Sequence, residues 1–301
     1  MAKKKRVKSK KKVKAVKKKL KKHIKLRKKQ IKRVKHKEKK AIHHLRKKHG
    51  KTKGHHKLSP KAKKVKIQER ISTGIPNFDR LIAKGYEKNS TNLLVGGSGS
   101  GKTIFATEFL IEGMKQGEKC LYVTFEEKKE QFYLNMRNFG WDLEAYEKKG
   151  LFTFLEYTPM KVKTMLEEGG GAIETIILKN KITRIVIDSI TSFELLFDDE
   201  LEKREAALAL FGMIRDWDAT ALLTLEEEPS AQEKISSRTL EFESDSITVL
   251  YFVREGKKPE RQRYLEVIKM RGTQHSHRVF AFDIAKKGIK INKSPVSHFI
   301  I

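Results

Sequence analysis

Beyond residue 66 the apolar residues fall into short dense runs separated by longer amphipathic stretches. Runs at 91–95, 119–125, 151–157, 184–188 and 220–224 are rich in β-branched, leucine and aromatic residues. That pattern predicts strands buried on both faces. Between them, 104–111, 128–139, 160–180 and 200–216 have helical spacing, with a break in the third at Gly169-Gly170-Gly171. Gly113 and Gly117 mark the end of the first helix, and Gly140 closes the second. Ser72-Thr73-Gly74-Ile75-Pro76 reads as a turn before a short helix at 77–82. Strand and helix in alternation predict an α/β fold, a mostly parallel sheet flanked by helices on both faces. After Glu228 the helices thin out. Runs at 247–254, 262–270 and 278–284, with turns at Glu255-Gly256 and Gly272, predict antiparallel strands extending the sheet at its C-terminal side.

The first 66 residues break this pattern. They hold 34 lysines and arginines against one acid, Glu38, for a net +33, whereas the other 235 residues carry 34 bases and 36 acids, a net −2. A segment so charged cannot pack a core. Its few apolar residues, among them Val13, Val16, Leu20, Ile24, Ile31, Val34, Ile42 and Leu45, nevertheless share one helical stripe between about residues 10 and 48. The expectation is a lysine-rich arm, residues 1–66, disordered alone and helical once a polyanion neutralises it. Nucleic acid is the first candidate partner and an anionic membrane surface the second. Clustered histidines (His43, His44, His49, His55, His56) read as solvated in this cationic setting. The globular domain then spans 67–291, with a C-terminal tail at 292–301.

Cys120 is the single cysteine, which excludes an internal disulfide and fits a reducing compartment. No apolar stretch approaches the roughly 18 residues of a membrane-spanning helix, and no apolar core follows the basic N-terminus as in a secretory signal. The expected location is the cytoplasm.

The strand at 91–95 leads into Gly96, Gly97, Ser98, Gly99, Ser100, Gly101, Lys102 and Thr103, and these open a helix. Strand, G-x-x-x-x-G-K-[ST] and helix together form a phosphate-binding P-loop, whose backbone N–H groups and helix N-terminus cradle phosphates. Lys102 is expected to reach the β/γ-phosphates and Thr103 to ligate Mg²⁺. Asp188, an acid ending a buried strand, suits the second Mg²⁺ contact, partly through water. Glu126 and Glu127 close another strand, expected beside the P-loop strand, where a carboxylate can orient and deprotonate an attacking water. Lys269 and Arg271 stand at i and i+2 before Gly272 and point the same way. Two readings stay open for them, a solvated basic edge or an arginine-finger-like device for a neighbour's γ-phosphate.

Five motifs occur in order: Ser72-Thr73-Gly74-Ile75-Pro76-x-Phe78-Asp79, the P-loop, Thr124-Phe125-Glu126-Glu127, Ile187-Asp188-Ser189, and Lys269-Met270-Arg271-Gly272-Thr273-x-His275. Together they resemble the KaiC-like branch of the RecA-superfamily ATPases over residues 68–291, and Phe139-Gly140-Trp141-Asp142-Leu143-Glu144 resembles it too. The resemblance implies a RecA-type P-loop core, ATP with Mg²⁺, and homo-oligomers, often hexameric rings, with ATP held between protomers. It also implies that Glu126 and Glu127 serve hydrolysis and that Lys269 and Arg271 touch the adjacent protomer's nucleotide. The sequence departs from the family in places. It holds one such domain. Glu241 and Phe242 occupy the places of a Ser-Thr phosphorylation pair, so an autokinase cycle is not supported. Residues 83–90 lack the usual glycine-rich approach, and Leu225 follows Thr224 where a second small polar residue is common. The expected function is ATP hydrolysis at inter-protomer sites, driving a conformational or assembly change, with the arm as tether. Two alternatives are a recombinase-like DNA-binding protein that uses ATP as an assembly switch, and a regulatory module that binds ATP without turnover.

Overall fold

The computed structural model describes residues 69–299, apart from 159–160, 162–163, 165–170, 195, 198, 230–237 and 255–258. The arm with its stripe at 10–48 and its histidines, Gly169-Gly170, and the turn at Glu255-Gly256 lie outside the described residues.

A short ribbon of β1 (Arg70–Ile71) and β2 (Tyr86–Glu87) precedes the main sheet. The chain then runs through β3 (Thr91–Gly96), α1 (Lys102–Lys115), β4 (Cys120–Thr124), α2 (Lys129–Arg137), α3 (Leu143–Lys148) and β5 (Phe152–Glu156). It continues through α4 (Gly171–Asn180), β6 (Arg184–Asp188), α5 (Ile190–Glu194), α6 (Glu200–Asp216), β7 (Thr220–Glu226) and α7 (Arg238–Glu243). Four strands close it: β8 (Ser246–Arg254), β9 (Arg261–Met270), β10 (Phe280–Ala285) and β11 (Gly288–Ile291).

Nine strands form the main sheet in the order β11-β10-β9-β8-β3-β7-β6-β4-β5. From β8 to β5 every pairing is parallel, and β8/β9, β9/β10 and β10/β11 are antiparallel. The antiparallel extension is present, with two corrections. The strand read at 247–254, here β8, is itself parallel to β3, so the antiparallel part begins only with β9. The strand that ends at Glu126 and Glu127, β4, is not beside β3, because β7 and β6 lie between them. Each of those two strands is reached by a helical crossover, and chain order does not fix which crossover returns nearest the centre.

Unbroken apolar runs are explained by burial on both sides of the sheet. Leu94, Tyr122, Val186, Leu222, Leu250 and Leu265 face α1, α2 and α3 on one side. Their strand neighbours Leu93, Val95, Leu121, Val123, Ile185, Ile187, Leu223 and Ile247 face α4 and α6 on the other. Helix α6 starts where Asp199 accepts hydrogen bonds from the Leu201 and Glu202 N–H groups, and buries Ala206, Ala207, Leu210, Phe211 and Ile214 at helical spacing. Val296 and Phe299 also pack on this second layer, the Phe299 ring 5.0 Å from Tyr251 and 4.9 Å from Tyr264.

Two buried charges tie α1 into this frame. Arg184 is fully buried and paired with Glu118 at 2.7 Å, and it also donates to the Phe109 and Ser72 carbonyls. Burial pushes the Glu118 carboxyl up, but its hydrogen bonds and attraction to Arg184 hold it below the ordinary value. Gly113 is therefore no helix terminator. It lies inside α1, and a Cβ there would stand 2.5 Å from the Arg184 Nε. The Ser72–Asp79 motif is a closed turn, in which Asp79 accepts from the Ser72 hydroxyl at 2.7 Å and from the Thr73 hydroxyl at 2.6 Å.

The second charge is Glu108, 8 % exposed on α1, which accepts from the Ile289 N–H of β11 at 2.8 Å. Burial raises its carboxyl from 4.5 to about 7, against the Ile289 hydrogen bond and Lys115. The folded state thus binds this proton more tightly than the unfolded chain. Its contribution is complete below pH 4.5 and lost as pH rises through about 7. Urea denaturation at pH 5 and pH 8 should show wild type losing about 2–3 kcal/mol relative to Glu108→Gln over that interval. Parallel pH profiles would refute it.

Candidate nucleotide site

The C-terminal ends of β3, β6 and β7 converge on one edge of the sheet, where crossovers leave a crevice in parallel α/β folds. There a cavity of about 380 Å³ is lined by P-loop residues, Lys102, Thr103, Thr124, Glu126, Glu127, Asp188, Ser189, Glu226, Arg263 and Ile284. Gly99 and Gly101 hold φ at +74° and +105°, which the loop needs in order to turn back into α1. Lys102 is buried and donates to the Gly96 and Gly97 carbonyls at 2.7 and 3.0 Å. Burial lowers its ammonium pKa, opposed by the charges of Glu226, Asp188, Glu228 and Glu126.

Asp188 is the centre of the site. Its Oδ2 accepts from the Thr103 hydroxyl at 2.8 Å and from the Tyr122 hydroxyl at 2.5 Å, while Oδ1 accepts from the Thr224 hydroxyl at 2.5 Å. The Thr224 hydroxyl, buried at the end of β7, is thus engaged by Asp188. Burial and the neighbouring Asp188 carboxylate push the Tyr122 phenol far up, so it remains a donor.

Thr124 shapes the turn after β4 by accepting from the N–H groups of both Glu126 and Glu127 at 3.2 Å. The two glutamates then diverge. Glu126 Oε1 accepts from the Ser192 hydroxyl at 2.6 Å. Glu127 Oε2 is buried with no hydrogen-bond partner among the described residues, and its carboxyl is pushed up by burial first, then by Asp188 and Glu126. Ser100 Oγ and Ser189 Oγ are likewise buried and unpartnered among the described residues. The two orphaned serine hydroxyls beside the P-loop can donate to an anionic, oxygen-rich ligand, and the Glu127 oxygen can accept from a water. The Thr103 hydroxyl and Asp188 carboxylate supply the hard oxygen donors that Mg²⁺ takes alongside phosphate oxygens. Among the described residues no three His, Cys, Asp or Glu side chains form a metal cluster of their own.

Lys269 and Arg271 lie elsewhere. Met270 pairs with Ser246, and Ser246 with Asn92, so the end of β9 is level with the start of β3. The pair therefore stands at the opposite end of the sheet from the P-loop, and β9 is no outer strand, since β10 and β11 lie beyond it. Arg271 is one residue past the end of β9. Lys269 Nζ donates to the Glu241 and Phe242 carbonyls at the end of α7, and Arg271 donates to the Phe242 carbonyl at 2.7 Å.

No sequence motif marks Arg263 or Tyr122, yet both stand at this site. Arg263 donates to the Gly99 carbonyl from Nε at 3.1 Å and from Nη2 at 3.0 Å, and its guanidinium lies 4.2 Å from the Phe252 ring centroid. It comes from the antiparallel part of the sheet, 164 residues from Gly99, and no local motif marks it. Tyr122 is an ordinary member of an apolar run until β6 is set beside it.

Residues 71–296 match the family model for the KaiC ATPase. The chain is 35 % identical over 231 residues to the circadian clock protein KaiC3 of Synechocystis, covering 74 % of this chain but 45 % of that protein. It therefore spans about half the length of the curated clock proteins that it matches. It is 33 % identical to the UPF0273 protein PH0284 of Pyrococcus horikoshii, covering 74 % of this chain and 94 % of that one. Among solved structures, the KaiC-like protein PH0186 of Pyrococcus horikoshii superposes with a TM-score of 0.67 at 34 % identity, over 75 % of this chain and 99 % of the other. With the family's P-loop and its mostly parallel, RecA-type sheet in place, the chain belongs to the KaiC-like ATPases.

Proposed function

We propose that this protein hydrolyses ATP at sites completed by a second copy of itself, and couples hydrolysis to a change of conformation or assembly. The observation that carries this reading is the buried, unpartnered Oε2 of half-buried Glu127 beside Asp188, Thr103 and Lys102 in one cavity. Lys102 and the P-loop N–H groups bind the phosphates, and Thr103 and Asp188 hold Mg²⁺. When bound, that ion neutralises charge on the β- and γ-phosphates. Glu127 takes a proton from the water that attacks the γ-phosphorus as the bond to the leaving ADP oxygen breaks. Its raised pKa strengthens it as a base, and Glu126, held by Ser192, adds to that shift. Turnover then falls as pH drops through that raised value. Lys269 and Arg271 are too far from their own P-loop to serve it, which favours their acting on a neighbour's nucleotide.

Glu127→Gln should lower kcat by about 10²-fold or more and leave ATP binding intact. Glu126→Gln, which mainly loses its effect on Glu127, should cost about tenfold or less. Normal steady-state hydrolysis by the Glu127 variant would overturn the catalytic assignment, and wild type that binds ATP without turnover would favour an ATP-binding module instead.

Tyr122→Phe removes one donor from the Asp188 carboxylate. Hydrogen bonds to charged groups contribute about 1.5–3 kcal/mol. The variant should need about tenfold more Mg²⁺ to bind a fluorescent ATP analogue, read by titration without turnover. An unchanged Mg²⁺ requirement would dismiss Asp188 as the metal contact.

For the arm, the charge segregation supports tethering to nucleic acid. With about 6–10 phosphate contacts, affinity should fall roughly 10³–10⁵-fold between about 50 and 200 mM salt. Deleting residues 1–66 should remove most of this binding and spare basal hydrolysis. Full, salt-sensitive affinity in the truncated protein would move the binding surface to the ATPase domain.

A further inference from the structure

One side chain joins the two ends of this machinery. Asp245 lies between α7 and β8, and its Oδ1 accepts from Arg271 Nη1 at 3.0 Å. Its Oδ2 accepts from the Thr91 N–H at 2.9 Å. Backbone bonds reinforce both links: the Asp245 N–H donates to the Thr91 carbonyl, and the Arg271 N–H to the Asp245 carbonyl, each at 2.7 Å. Thr91 is the first residue of β3, and Gly96, the last, opens the P-loop. The Arg271 guanidinium is thereby fastened to the strand that carries the chain's own phosphate loop.

The guanidinium is otherwise free to act outward. Its side chain is 54 % exposed, and Phe242, whose carbonyl it shares with Lys269, is 70 % exposed. An exposed aromatic residue whose own carbonyl holds two cations has the composition of an interface anchor. The C-terminal carbonyls of α7 and the Asp245 carboxylate preset the direction of both cations, so little reorganisation remains when they meet an anion.

We propose that Asp245 is a positioning residue, which orients Arg271 toward the nucleotide of a neighbouring protomer and couples that cation to the strand bearing its own P-loop. This rests on the reading that Lys269 and Arg271 act across an interface.

The test uses full-length variants assayed alone and in mixtures. Asp245→Asn keeps an acceptor for the Thr91 N–H and removes the charge that holds Arg271. Alone, it should bind ATP as wild type does and turn it over about tenfold more slowly, the scale of one charge-assisted hydrogen bond. Lys102→Ala cannot hold nucleotide but offers an intact Arg271, so adding it should restore turnover to the Asp245→Asn sites several-fold. Adding Arg271→Ala should restore none, since both partners then present defective cations. Asp245→Ser, with a hydroxyl for Thr91, must behave like the asparagine variant, and urea midpoints close to wild type confirm that both are folded. The control is Lys102→Ala mixed with Arg271→Ala. If that control regains activity while Asp245→Asn turns over normally, or stays slow with Lys102→Ala present, Asp245 is not a positioning residue and the shared site stands. Unfolding of both Asp245 variants would make the residue a structural tie and overturn the proposal as well. If the control co-assembles and stays dead, the shared site itself falls, and this inference with it.

Discussion

Asp188, half-buried at the edge of the cavity, collects donors for its carboxylate from three directions. One hydroxyl comes from the first turn of α1, one from the middle of β4 and one from the end of β7. These elements are separated along the chain by up to 121 positions, Thr103 to Thr224, yet they meet on the two oxygens of one group. Charge-assisted hydrogen bonds are shorter and about twice as strong as neutral ones, and a buried carboxylate left without them is costly. The P-loop helix is therefore held in register with the sheet by the same group whose remaining acceptor capacity faces the cavity. Thr224 shows the economy of the arrangement. A position that could touch the ligand directly serves by fixing the residue beside it.

The charge at this site is unbalanced. Glu126, Glu127, Asp188 and Glu226 line the cavity against Lys102 and Arg263. Adding a polyphosphate deepens the excess of negative charge. A divalent cation and cations from outside the chain are the two natural remedies, and both belong to the proposed reaction. Burial raises Glu127 first, and this excess, through Asp188 and Glu126, raises it further.

Much of this was legible in the sequence because it is local. The P-loop is a contiguous spacing of glycines, lysine and threonine, the strands are contiguous apolar runs, and Asp188 and the two glutamates sit at run ends. What stayed hidden depends on which runs become neighbours. The β4 strand looks adjacent to β3 until β7 and β6 are threaded between them. Gly113 resembles a helix stop until Arg184, 71 positions later, needs its space. Lys269 and Arg271 resemble a free pair on an outer strand until α7 supplies carbonyls for both. Each missed feature is a long-range pairing of ordinary residues, and a lone residue type carries no sign of its distant partner.

The opposition of the two ends of β3 has a geometric corollary. A protomer that offers its cations from one end and its phosphate loop from the other has two unlike contact faces. A two-fold pair satisfies both only when its subunits lie antiparallel, whereas subunits joined in one direction make heterologous contacts. Two subunits joined this way leave one loop unserved and one cation pair idle. Each added subunit repeats that vacancy until the rotation per step closes the circle, and an unclosed rotation gives a helical filament. Under the proposed reading of shared sites, rings and fibres then differ only by a small angle between neighbours.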